Sequence, residues 1–118
     1  MDPAGRIANL DASLLRAGQR VQLQRPGGST DPTSFSATAD CQARVISQGV
    51  GLLGIILSPT DLINASSWPE PNAPEVGDPL LPRKTDKILV NGLQRTIQNV
   101  HPRYTNEVLV RIDIEAST

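Results

Sequence analysis

Asp86-Lys87-Ile88-Leu89-Val90-Asn91-Gly92-Leu93-Gln94-Arg95-Thr96-Ile97-Gln98-Asn99-Val100 holds two runs rich in β-branched and apolar residues, joined by Asn91-Gly92. A two-residue type I′ turn needs positive φ at both central positions, and Asn and Gly tolerate it, so the stretch predicts a tight β-hairpin. With Asn91-Gly92 as the turn, Val90 pairs with Leu93 and Ile88 with Arg95, and Ile88, Val90, Leu93 and Ile97 share a face. After His101-Pro102-Arg103-Tyr104-Thr105-Asn106, read as a turn, a third run alternates. Val108, Val110, Ile112 and Ile114 fall on one side, and Leu109, Arg111, Asp113 and Glu115 on the other. Period-two alternation describes a half-buried antiparallel strand. Residues 86–115 are therefore expected to form a three-stranded meander, with Val90, Leu93, Val108, Val110, Ile112 and Ile114 inside.

Working outward, Ile7, Leu10, Leu14 and Leu15 recur at helical spacing, which predicts a helix over 6–17 within an N-terminal segment 1–18. Gly18 is expected to end it in the left-handed conformation. Val21 and Leu23 alternate with Gln22 and Gln24 in a strand over 19–25, stopped by Pro26-Gly27-Gly28. Residues 29–36 are polar and aperiodic, an exposed loop. A second strand over 37–47 turns Ala39, Cys41, Ala43 and Val45 one way. Residues 48–54 form an apolar glycine-rich loop, and 54–57 a short third strand. Ser58-Pro59-Thr60-Asp61 is a helix start: Ser58 caps, Pro59 suits the first helical position, and Asp61 meets the positive end of the dipole. Residues 68–84 hold prolines at 69, 71, 74, 79 and 82, a density that excludes helix and central strand and makes an extended connector. The expectation is one all-β (mainly) domain over residues 1–118: a small, partly open antiparallel β-barrel with a short N-terminal helix and one short internal helix.

Composition agrees. Ten prolines and nine glycines favour turns, and one Phe, one Trp and one Tyr leave an aliphatic core. A chain of 118 residues buries roughly 65% of its unfolded surface, enough for a core without metal or disulfide. The formal net charge of −1 carries no electrostatic footprint for duplex nucleic acid. The lone Cys41 forms no intrachain disulfide and suits a reducing compartment. The N-terminal Met-Asp-Pro-Ala-Gly-Arg lacks the basic-then-apolar pattern of a signal peptide, and the run Val50–Leu57 falls far short of a membrane span, so a soluble protein made in the cytoplasm is expected.

Gly49-Val50-Gly51-Leu52-Leu53-Gly54 formally matches the dinucleotide fingerprint, but that chemistry needs a helix opening at the third glycine. The β-prone Ile55-Ile56-Leu57 and then Ser58-Pro59 leave no room for it. His101 has no nucleophile elbow near it, and the aspartates lack the spacing of a calcium loop. No catalytic residue, cofactor or metal site is expected, and Asn64-Ala65-Ser66 is a glycosylation sequon only in a secreted chain. The expected interaction surface comprises Val50, Leu52, Leu53, Trp68, His101, Arg103 and Tyr104. For Trp68 two readings stand side by side: a cap over one end of the barrel, or a contact with another subunit. The apolar loop 49–54 likewise either meets partners, mobile until it does, or folds back on the barrel end.

The order of elements resembles the head-closure (stopper) or head–tail joining proteins of tailed bacteriophages. Four parts carry the resemblance: Leu-Asp-Ala-Ser-Leu-Leu followed by Gln-Arg-Val-Gln-Leu-Gln-Arg and Pro-Gly-Gly; Gly-Ile-Ile-Leu-Ser-Pro-Thr-Asp-Leu leading to Trp68-Pro69; the Asn-Gly hairpin; and His101-Pro102-Arg103 before a closing strand. Together they cover most of residues 10–114. The resemblance implies a small β-barrel protein of the virion neck, assembled in the host cytoplasm as a homo-oligomeric ring. Its implied partners are the portal–adaptor complex on one side and tail proteins on the other, with packaged DNA contacted at the channel and neither a membrane nor a small-molecule substrate involved. Subunits are expected to join by strand addition or by a loop laid on the neighbouring barrel. A tail-completion or adaptor protein is the alternative joining piece, although adaptors are mostly helical. A small hydrolase or nucleotide-binding enzyme lacks clustered polar residues to support it.

Overall fold

The structure, a computed structural model, describes residues 2–26, 35–47, 49, 51–65, 68 and 81–117. The chain runs α1 (Pro3–Ala17), β1 (Gln19–Pro26), β2 (Phe35–Ser47), β3 (Leu52–Leu57), α2 (Pro59–Asn64), β4 (Lys87–Val90), β5 (Leu93–Thr105) and β6 (Val108–Ser117). Val50 and most of the proline-rich connector, 69–80, lie outside the described residues.

The six strands form a closed antiparallel barrel in the order β1-β2-β3-β6-β5-β4. The mainly β, barrel-forming reading with two helices holds, and the barrel closes further than the partly open one expected. Closure comes from β4 lying against β1, with Val21 opposite Val90 and Leu23 opposite Ile88. The hairpin about Asn91-Gly92 has the expected register, Val90 to Leu93 and Ile88 to Arg95, and both turn residues have positive φ, 53° and 79°. Inside the barrel β2 contributes Ala37, Ala39, Cys41 and Ala43. These small side chains leave space for Val21, Leu23, Ile55, Leu57, Ile88, Val90, Ile97, Ile112 and Ile114, all buried.

Below the end of β3, where Leu57 stands between Ala43 and Ile112, the two helices take over. Ser58 Oγ accepts from the Thr60 amide at 3.2 Å and Pro59 opens the helix, as the sequence predicts. The Asp61 carboxylate accepts from the Gln42 amide at 2.9 Å, satisfying a β2 donor that β3 no longer reaches. Leu62 enters the core. Thr60 Oγ1 donates to Asp11 at 2.7 Å, tying α2 to α1, and α1 packs on β2 and β6.

Several expectations need correction. Helix α1 begins earlier than residue 6, because Asp2 accepts from the Gly5 amide at 2.7 Å and Pro3 supplies the first turn. Gly18 is not left-handed but extended, φ −87° and ψ 173°. Glycine is required there by contact: a Cβ would run into the carbonyl oxygens of Leu14 and Ala43. Leu52 and Leu53 are not loop residues. They pair within β3, Leu52 with Ser117 and Leu53 with both Ser47 and Ala116.

His101-Pro102 is no turn either: β5 runs through it to Thr105. β4 pairs with β5 only from Leu93 to Thr96, so from Ile97 onward that side of β5 is an edge among the described residues. Proline is tolerated at such an edge because no ladder donor is lost. Leu93 is 58% exposed, since β6 reaches only to Ser117, across from Thr96. Val108 is 45% exposed. β6 is irregular between Arg111 and Leu109, with Arg103 opposite the first and Tyr104 opposite the second, so Val110 is an extra residue. A bulge reverses which side the following residues face. Leu109 therefore packs against the core and Val108 leaves it.

Candidate interaction surface

The prominent surface feature grows from that irregularity. β5 and β6 continue beyond the ladder that β3 makes with Ile112–Ser117, as a two-stranded ribbon ending at Thr105 and Val108. Asn106 and Glu107 form the turn, with φ of 50° and 67°. Asparagine suits this conformation; glutamate strains in it.

The outer face of the ribbon is charged. Asp113 receives two guanidiniums, Arg111 Nε at 2.6 Å and Arg103 Nε at 3.2 Å. His101 Nε2 lies 3.2 Å from Glu115. These groups are substantially exposed on the basic side, so each pair contributes at most about 1 kcal/mol and the cluster is a surface rather than a strut. Beside it lies a trough between α1 and the ribbon, lined by Arg6, Asn9, Leu10, Val110 and Arg111. It continues past Arg103, Tyr104 and Thr105. Tyr104 is 50% exposed. Helix spacing brings Arg6 and Leu10 to one face of α1, and the strand brings Arg103 opposite Arg111.

Of the residues expected to form the surface, His101, Arg103 and Tyr104 do come together here. Leu52 and Leu53 lie in β3 and are half-buried. Val50 lies outside the described residues. Trp68 is 2% exposed and packs within the core of the chain rather than on this surface. The Arg25 guanidinium lies 4.2 Å from its ring centroid.

Sequence reading missed Arg6, Arg111, Asp113 and Glu107 as members of this surface. The alternation of Arg111, Asp113 and Glu115 places them outside, but which strand lies opposite is a tertiary fact. It also missed the buried pair Arg25–Asp86, because Arg25 reads as the end of a wet strand. Cys41 is buried beside Asp61 and Asp40; burial first, and those two carboxylates second, push its thiol up to about 12. It stays protonated and unreactive at neutral pH. Among the described residues no group of three or more His, Cys, Asp or Glu side chains is placed to hold a metal, and no helix is long and apolar enough to cross a membrane. The chain matches no protein-family model, no curated protein and no solved structure.

Proposed function

We propose that this protein is a structural subunit of the tailed-phage neck, a head-closure or head–tail joining protein acting as part of a ring. The observation that carries the reading is the β5–β6 ribbon. A closed barrel keeps its backbone donors and acceptors to itself, yet this one extends two strands past its own wall and dresses them with Arg103, Tyr104, Val108 and Arg111, all exposed. Exposed aromatic and arginine side chains together are the composition of protein-binding surfaces. Strand addition, the other expected way of joining, has an open edge among the described residues on each strand of the ribbon. These are β5 past Ile97, where Pro102 removes a donor, and the short stretch of β6 from Val108 to Arg111 that β3 does not reach. Joining through the projecting ribbon is the better-supported mode.

In this role the protein works by shape and contact. The barrel is a rigid body, the ribbon and α1 present the contact faces, and the ring they build closes the packaged head and receives the tail. A tail-completion role would use the same surfaces with a different neighbour. Mass spectrometry of purified virions, with negative-stain imaging of the protein alone and mixed with portal–adaptor complexes, tests the proposal. Rings or neck complexes are the expected outcome. A protein absent from virions and indifferent to neck components overturns it.

A further inference from the structure

We infer that the ribbon tip of one subunit, Glu107-Val108, seats in the trough between α1 and the ribbon of a second copy. Two independent observations meet in this contact. The first is the tip itself. Glu107 holds φ 67°, a conformation in which glycine or asparagine is unstrained, and the tip carries an exposed carboxylate beside the 45%-exposed Val108. A strained residue at an exposed turn points to a use for its side chain.

The second is the trough. Arg6, Arg103 and Arg111 line it, with Leu10, Val110 and Tyr104 supplying apolar surface. Asp113 is the acidic residue in this lining, shared between Arg103 and Arg111 through their Nε atoms. Arg6 has no acidic partner among the described residues. The lining therefore carries an excess of positive charge around an apolar floor. The complementary ligand is a carboxylate next to an aliphatic side chain, and Glu107-Val108 is that pair. Nucleic acid fits less well: a duplex would bring many phosphates to a chain of net charge −1, with Asp113 and Glu115 beside the arginines.

The identity of the partner as a second copy rests on the ring reading, whereas the complementarity does not. The test is sedimentation velocity of the full chain over micromolar concentrations at low and high salt, with thermal melts confirming that each variant folds. Wild type is expected to self-associate, less so at high salt. Glu107→Lys and Arg111→Glu are each expected to weaken association about tenfold or more, and the two together to restore much of it. Glu107→Gly is expected to melt no lower than wild type while losing association, which a purely structural role for Glu107 would not produce. A monomeric wild type, association unaffected by either single variant, or no recovery in the double variant overturns the contact. Binding of a duplex oligonucleotide that Arg111→Glu abolishes, without self-association, also overturns it. Failure of the neck reading is distinguishable: a protein that self-associates in this way but is absent from virions keeps the contact and loses the role.

Discussion

Arg25 and Asp86 stand 61 positions apart in the chain, and the guanidinium of the first closes on both carboxylate oxygens of the second, from Nε at 3.2 Å and from Nη2 at 3.1 Å. Both side chains are almost fully buried, 5% and 1% exposed. Asp86 also accepts from the Arg83 amide at 2.8 Å, and Arg25 donates to the Leu81 carbonyl at 3.3 Å. The pair therefore fastens the end of β1 to the chain that enters β4, at the seam where the barrel closes.

Removing one partner strands a buried charge. Asp86→Ala is expected to cost about 3–5 kcal/mol, whereas Arg25→Met combined with Asp86→Leu costs less than the single change, because no charge is left uncompensated. Urea denaturation of the three variants checks this; a double variant less stable than Asp86→Ala would contradict it.

Gly18 tests contact against conformation. Its backbone is ordinary, but an added Cβ would press on backbone oxygens, Ala43 O at 2.9 Å among them. Gly18→Ala is expected to destabilise by about 1–3 kcal/mol through overpacking. A neutral Gly18→Ala would show that the helix end can shift away from β2.

Cys41 gives a pH signature. Its thiol, pushed up to about 12 in the folded chain from an ordinary value of 9.0, loses its proton first in the unfolded chain. The unfolded state then binds fewer protons, so the contribution is fully present below about pH 9 and declines as pH rises toward 12, by at most about 1.4 kcal/mol per pH unit. Stability measured against pH should fall more steeply for wild type than for Cys41→Ala in that window. Alkylation of Cys41 at neutral pH should proceed only as the chain unfolds.

The bulge in β6 and the open end of β5 predict a contrast among residues whose alternation is that of core positions. Ile112→Ala, at a fully buried position, is expected to cost about 2–5 kcal/mol. Val108→Ala and Leu93→Ala, both exposed, are expected to stay within about 0.5 kcal/mol. Equal losses at Val108 and Ile112 would place Val108 back in the core.

His101→Ala removes an exposed partner of Glu115 and is expected to leave the fold intact, changing stability by less than about 1 kcal/mol. A large drop in melting temperature would give His101 a structural part that its exposure denies.

What could be read in the amino-acid order was local. Asn91-Gly92 announced its turn because φ tolerance belongs to the two residues themselves. Ser58-Pro59 announced α2 because a cap and a fixed φ act within one turn of chain. Alternation in Ile112 and Ile114 marked a half-buried strand because pleat geometry repeats every two residues. The fold class followed, and so did the gathering of His101, Arg103 and Tyr104 on one segment.

The tertiary structure decided whatever depends on a distant neighbour. β4 closes the barrel on β1 because Val90 and Ile88 meet Val21 and Leu23 across a long loop of chain. β5 continues through Pro102 because β4 has already ended on that side, leaving no donor to lose. Leu93 and Val108 are exposed because their neighbours end or bulge, although their own alternation is that of core residues. Arg25 is buried because Asp86 and Trp68 come to it. Apolar pattern states which side chains avoid water, but only the arrangement of neighbouring strands determines where water is excluded.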